Sequence, residues 1–182
     1  MHGSEAPSAW VRRWSHLVPA AGTVLDLACG RGRHLRWFAG LGHPVTGVDR
    51  DGAALAGLQG LGRLLQADIE DGPWPLPGEQ FDGVVVTNYL WRPLLPAIVQ
   101  SVAPGGVLLY ETFAQGNETV GKPSRPDFLL APGELLAACA GLRTVAYEDG
   151  FLEAPARYVQ RIAAVRPPAG VQAPRFPLAA GG

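Results

Sequence analysis

Apolar positions along this chain fall into two alternating kinds of run. Short runs rich in β-branched residues have the character of strands buried on both faces. Longer runs with apolar positions three and four apart have that of helices. Residues 7–18 (PSAWVRRWSHLV) place Trp10, Trp14 and Leu17 on one side of a helix. Residues 23–28 (TVLDLA) read as the first strand and Arg33 to Leu41 as a helix. Pro44 then precedes a second strand, 45–49 (VTGVD). Asp51 is a good N-cap for the helix that follows. A short third strand, 63–67, leads to Asp68, and a Pro-rich loop (GPWPLPGEQ) separates it from a fourth, 81–87 (FDGVVVT). Residues 93–102 read as a helix, 107–112 (VLLYET) as a fifth strand opened by Gly105-Gly106, and 132–139 as a helix with Pro132 near its start. Runs 142–148 and 156–166 complete the set.

This alternation predicts an open α/β sheet with helices on both faces. The stretch from Glu148 to Pro155 is too short for a parallel crossover, so the last strand should run antiparallel to its predecessor. Beyond Pro167 the composition turns to Pro, Ala and Gly, which predicts a disordered tail over 167–182.

The chain has 182 residues, which at roughly 150 residues per domain is one domain. Its 24 glycines and 17 prolines sit mostly between apolar runs, and 47% hydrophobic residues support a packed core. Only 17% of residues are charged and the net charge is -1. That balance excludes a strongly basic nucleic-acid scaffold while leaving room for a local basic patch. Cys29 and Cys139 are the 2 cysteines. They form no CxxC motif and fit a reducing cytosol rather than a disulfide-stapled secreted domain. No run reaches the ~18 apolar residues of a membrane span. Arg12, Arg13 and His16 interrupt any signal-peptide core. The expectation is a soluble, cytoplasmic protein without membrane partners.

The strongest chemical signal is Val24-Leu25-Asp26-Leu27-Ala28-Cys29-Gly30-Arg31-Gly32-Arg33-His34. Small residues follow a strand directly and enter a helix, so the backbone can approach a ligand and the helix start offers N–H donors. The dinucleotide fingerprint GxGxxG is not met, because Leu35 stands at its third position. Asp49, at the end of the second strand, can accept both hydroxyls of a ribose, or it can cap the next helix. Asp68-Ile69, after the third strand, can take the exocyclic amine and a ring nitrogen of adenine. All three signals lie at strand carboxyl ends, where open α/β sheets bind ligands. The 4 histidines are scattered, and no cluster has metal-ligand spacing. His34 reads as a turn or packing residue rather than a base.

Asp26-Leu-Ala-Cys-Gly-Arg-Gly, Asp49, Asp68, Phe81-Asp82 and Pro104-Gly105-Gly106 together resemble the successive motifs of class I S-adenosylmethionine-dependent methyltransferases. The resemblance spans about residues 20–166. It is greatest to the small tellurite/thiopurine-type group, whose first motif is DLGCGxGR; Ala28 stands where that motif has its first glycine. The resemblance implies a Rossmann-like three-layer α/β sandwich over residues 1–166. Its seven-stranded, mostly parallel sheet would have the order 3-2-1-4-5-7-6 with strand seven antiparallel. It implies S-adenosylmethionine as cofactor and S-adenosylhomocysteine as product. The implied cofactor residues are Asp26, Ala28, Gly30, Gly32, Asp49, Arg50, Asp68, Ile69 and Asn88. Among them, Gly30 and Gly32 would face the methionine part and Asp26 would shape the turn or hold the amino group, directly or through water.

Acceptor specificity is expected in two places. After the fourth strand, Asn88 can contact the methionine part or the acceptor, Tyr89 can wall the methyl site, and Arg92 can bind an anion. After the fifth, the long loop 113–130 carries Phe113, Lys122 and Arg125 and reads as a lid over the acceptor. Glu111 can orient an acceptor, act as a base, or pin that loop. The leading expectation is methyl transfer to a small-molecule acceptor by a monomer or homodimer. Nucleic acid is disfavoured by the charge balance. The alternatives are an RNA (tRNA) methyltransferase, with Arg31, Arg33, Arg36, Lys122 and Arg125 as a basic rim, and a non-catalytic cofactor-binding interaction protein.

Overall fold

A computed structural model describes residues 6–172 and 174–179. The N-terminal helix α1 is Ala9–Trp14, extended by a 3-10 turn, Ser15–Leu17. Then follow β1 Val24–Leu27, α2 Arg33–Gly40, β2 Val45–Asp49, α3 Gly52–Ala56 and β3 Arg63–Gln66. After the Pro-rich loop come β4 Phe81–Thr87, a 3-10 turn at Arg92–Leu94, α4 Leu95–Gln100 and β5 Val102–Phe113. The chain ends with α5 Glu134–Ala138, β6 Arg143–Glu153 and β7 Ala156–Val165.

The seven strands form one sheet in the order β3-β2-β1-β4-β5-β7-β6. β1 to β5 pair in parallel, and β7 is antiparallel to both β5 and β6. The order and the antiparallel strand are those implied by the sequence resemblance. Alternate residues of the central strands enter opposite layers, as period-two geometry requires. Leu25, Leu27, Val84, Val86 and Leu108 pack with Ile98 of α4. Val24, Val85, Val107 and Leu109 pack on the other side with Trp10, Trp14, Leu35 and Phe38. Both faces are covered by packed side chains, which is why these strands read as near-continuous apolar runs.

Three departures have local causes. β5 begins at Val102, ahead of its Gly-Gly opening, because Val102 already pairs with Phe81 before an irregularity that includes Gly105 at φ 81°. β6 runs to Glu153, since pairing with β7 carries it past the apolar run. Among its described residues the tail, expected from its composition to be disordered, touches the body at Phe176 and Pro177. Phe176 packs on the second core layer under the Arg143 guanidinium, and the Pro177 carbonyl bonds His16 Nε2 at 2.9 Å. Residues 1–5 of the N-terminal segment and 173 and 180–182 of the tail lie outside the described residues. Among the described residues no helix is long and apolar enough to cross a membrane.

Candidate cofactor and acceptor site

The turn between β1 and α2 is built from left-handed residues: Ala28 (φ 51°), Gly30 (φ 52°) and Gly32 (φ 70°). For Ala28 this conformation costs roughly 1–2 kcal/mol, and such strain at a ligand-facing turn is a common mark of a functional site. The left-handed backbone at Gly32 favours glycine, and a Cβ there would lie 2.7 Å from Leu58 Cδ2, so that side chain would have to shift. Asp49, at the end of β2, locks the turn: Gly30 N–H donates to its Oδ2 at 2.7 Å and Asp51 N–H to its Oδ1 at 2.9 Å. Each carboxylate oxygen keeps further acceptor capacity. Asp51 caps α3 through the Ala53 and Ala54 amides, so Asp49 is not needed as that cap.

Beside this turn, at the carboxyl ends of β1 to β4, lies a pocket of about 200 Å³ whose lining includes Ala28, Asp49, Arg50, Asp68, Ile69 and Tyr89. Asp68 Oδ1 accepts from the Glu70 and Asp71 amides, which fixes the carboxylate at the pocket wall. Tyr89 lines this same pocket, beside Asp68 and Ile69. Tyr110 O–H donates to the Tyr89 carbonyl at 2.9 Å and holds it there. The Tyr89 hydroxyl is raised well above its ordinary pKa by burial and then by the Glu70 carboxylate, which leaves it protonated and unfit as a base. A larger hollow of about 380 Å³, lined in part by Trp74, Glu79, Ser101 and Arg166, lies away from these residues. It is a separate feature of the fold.

Behind the turn, on the α1 side of the sheet, is a buried polar cluster. Asp26 of β1 is 1% exposed, and its Oδ2 has no hydrogen-bond partner. Burial raises its pKa to about 8, opposed by Arg33 and reinforced by Asp49. His34 Nδ1 lies 3.9 Å from that oxygen, and burial, then Arg33, lowers the His34 pKa to about 3, so the ring is neutral. Glu111, at the end of β5, is also 1% exposed. Its Oε1 accepts from Ser8 Oγ at 2.9 Å and its Oε2 from Arg161 Nη1 at 3.2 Å, while Arg157 Nη2 stands 3.8 Å from Oε1. Glu111 therefore anchors β7 and the start of α1 rather than the loop it precedes, and both its oxygens are engaged.

Of the expected acceptor residues, Arg92 and Arg125 both contact Asp127. Arg92 is a clamp, not a free anion site. Its guanidinium holds both oxygens of Glu134 at 2.7 and 3.0 Å and the carbonyls of Asp127 and Leu129. Arg125 is exposed and paired with Asp127 at 2.8 Å, and Lys122 is exposed. Phe113 is half-buried in β5. Asn88, at φ 54° and exposed, directly follows β4, and its amide donates to the Glu111 carbonyl. The 113–130 loop is tied at its base by the Ala114–Leu130 bridge and by buried Asn117, which donates to the Pro123 carbonyl and accepts from the Tyr158 amide. Reading the sequence missed Ser8, Arg157 and Arg161. Their partners are far away along the chain, and only the N-cap pattern of Ser8 was visible locally.

The donor set fits S-adenosylmethionine. There are paired carboxylate acceptors at the ends of β2 and β3, a strained small-residue turn between them and β4, and a buried carboxylate with an unpartnered oxygen behind it. The seven-stranded sheet with its reversed β7 is the class I S-adenosylmethionine-dependent methyltransferase fold. Residues 24–106 match the methyltransferase domain family, and the fold is TehB-like in architecture. TehB from Haemophilus influenzae superposes with a TM-score of 0.68 at 22% identity, covering 91% of this chain and 62% of that one. A TehB-like S-adenosylmethionine-dependent methyltransferase from Corynebacterium glutamicum gives 0.64 at 18% identity, with 86% of each chain covered. By sequence, a tRNA U34 carboxymethyltransferase of Edwardsiella ictaluri is 33% identical over 123 residues, 60% of this chain and 38% of the relative. The chain thus spans well under half the length of that curated relative.

Proposed function

We propose that the chain transfers the methyl group of S-adenosylmethionine to a small-molecule acceptor. The observation that carries this reading is the pocket itself, with Asp49 and Asp68 at its wall and the left-handed Ala28–Gly32 turn at its edge. Asp49, with Arg50 beside it, takes the ribose. Asp68, Ile69 and Tyr89 enclose the adenine. Gly30, Gly32 and Asn88 border the methionine part, and Asp26 receives its amino group.

The cofactor supplies an electrophilic methyl carbon on a sulfonium. The chain's own residues orient, exclude water and hold charge, so proximity is the main expected lever. Neither Tyr89 nor Glu111 is placed to take a proton, which suits an acceptor that is already a good nucleophile. A small acceptor is supported by the engagement of Arg92, Arg125 and Arg161 in ion pairs, which withdraws three cations from any polyanion-binding surface. Calorimetric titration with S-adenosylmethionine and S-adenosylhomocysteine, with NADH as control, tests the cofactor. Micromolar binding of the first two alone is expected; binding of NADH alone overturns it.

A second reading is transfer to tRNA. The names of the sequence relatives favour it, and exposed Arg31, Arg36 and Lys122 offer a partial rim. It requires tRNA binding that weakens steeply with salt. Salt-insensitive or undetectable tRNA binding leaves the small-acceptor reading standing.

A further inference from the structure

One residue joins two distant segments of the buried polar cluster. Ser8 precedes α1, and its backbone N–H donates to His34 Nε2 at 3.1 Å. Its hydroxyl donates to Glu111 Oε1 and accepts from the Trp10 and Val11 amides. The start of α1 therefore reaches from α2 to the end of β5. Asp26 and Glu111 belong to strands two places apart in the sheet, roughly 10 Å at the usual strand spacing. This is the stretch of sheet edge where the methionine end of the cofactor is placed above.

The His34 tautomer follows from its partners. Nε2 accepts a hydrogen bond and so bears no proton. A neutral ring has one proton, which must then sit on Nδ1. That N–H faces Asp26 Oδ2 at 3.9 Å, about 1 Å beyond hydrogen-bond length. The oxygen is buried and has no hydrogen-bond partner. Arg33 and Asp49 are the other charged groups acting on Asp26. A charge-assisted bond from Nδ1 forms when Asp26 is held as the carboxylate, as a cofactor ammonium would hold it. Closing that gap moves the ring, and Nε2 carries the Ser8 backbone with it.

We propose that His34 is a positioning residue that couples filling of the cofactor site to the ordering of residues 6–14. The coupling rests on the assignment of Asp26 to the cofactor's amino group. Asp26 contacts the ligand; His34 acts through Asp26 on one side and through Ser8 on the other, and neither His34 nor Ser8 takes part in the chemistry.

The test is amide hydrogen exchange on the full chain, with and without saturating S-adenosylhomocysteine. It compares wild type, His34→Asn, His34→Gln and His34→Phe. Asn keeps a donor near the Nδ1 position, Gln keeps an acceptor near Nε2, and Phe keeps the ring volume with neither. In wild type the ligand should slow exchange of the Trp10 to Trp14 amides about tenfold, within the usual range of coupling between sites. His34→Phe should lose that ligand-dependent change while its β4 and β5 amides exchange as in wild type, which separates lost coupling from lost folding. Reciprocity then requires weaker ligand binding in His34→Phe, by up to the same factor. Asn and Gln should each show a reduced effect. A full-sized ligand effect in His34→Phe overturns the proposal. So does a wild type that binds the ligand without protecting Trp10 to Trp14. A wild type that binds no ligand by calorimetry overturns the cofactor placement itself, and that failure is read from the titration alone.

Discussion

Asp49 has two duties at one carboxylate. It accepts the Gly30 and Asp51 amides, which sets the turn, and it presents its remaining lone pairs to the pocket. Asp49→Ala should weaken S-adenosylhomocysteine binding by roughly 1.5–3 kcal/mol, the scale of hydrogen bonds to a charged group. Unchanged affinity by calorimetry would move the ribose elsewhere. Asp26 makes a different prediction, through pH. Its pKa is raised to about 8 from an ordinary 3.8, chiefly by burial. Between those values the unfolded chain holds fewer protons at this site than the folded one. Its contribution to stability is therefore fully present below about pH 4 and is lost as pH rises through about 8. Ligand binding has the opposite sense, because a cofactor ammonium favours the carboxylate. Affinity for S-adenosylhomocysteine should rise with pH up to about 8, at most tenfold per unit for one proton. Asp26→Asn should flatten that profile and lower the affinity at pH 8. Calorimetry between pH 6 and 8.5 on both proteins checks it, and parallel profiles would remove Asp26 from the ligand.

The 113–130 loop is expected from the sequence to be a lid, yet its base is already fixed. Asn117 is 1% exposed and joins the Pro123 carbonyl to the Tyr158 amide. A Cβ on Gly116 would meet the Tyr158 ring at 2.8 Å, so the chain lies directly on β7 there. If the loop acts as a lid, its motion is expected in the exposed stretch from Thr119 to Phe128, where Val120, Lys122 and Arg125 face solvent. Asn117→Ala removes two hydrogen bonds and strands two backbone groups, which should cost about 1–3 kcal/mol. Urea unfolding measures that loss. Hydrogen exchange should show the loop loosened at Asn117 to Gly121 while β5 keeps its protection. A variant as stable as wild type would mean that the Ala114–Leu130 bridge holds the loop alone.

Across the whole molecule, what was legible depended on the range of the interaction. Strand identity came from β-branched runs, and the reversal of β7 from the short connection Glu148 to Pro155, both local properties. The positions of Asp26, the glycine turn, Asp49 and Asp68 were legible because each lies within, at the end of or just beyond its own strand. The orientation of Tyr89 was not legible, because the sequence shows that it follows β4 and not that it turns to line the pocket with Asp68 and Ile69. The clamp made by Arg92 was not legible because its partner Glu134 stands on an element 42 residues away in sequence. Glu111 is the fullest example: Ser8 is separated from it by 103 residues and Arg161 by 50. A carboxylate at a strand's carboxyl end reads as a candidate base until those partners are seen. The two roles make opposite predictions for Glu111→Gln. As an anchor, Glu111 ties α1 and β7 to β5, and its loss leaves the Arg157 and Arg161 guanidiniums without its balancing charge. Breaking such a pair typically costs about 3–5 kcal/mol when fully buried; with both arginines partly exposed, about 2–3 kcal/mol is expected here. The methyl-transfer rate of the folded fraction should stay within about threefold of wild type, with an unchanged pH profile. As a base, the same substitution would spare stability and cut the rate by roughly 100-fold or more. Thermal unfolding alongside single-turnover transfer of a labelled methyl group therefore decides between the two roles.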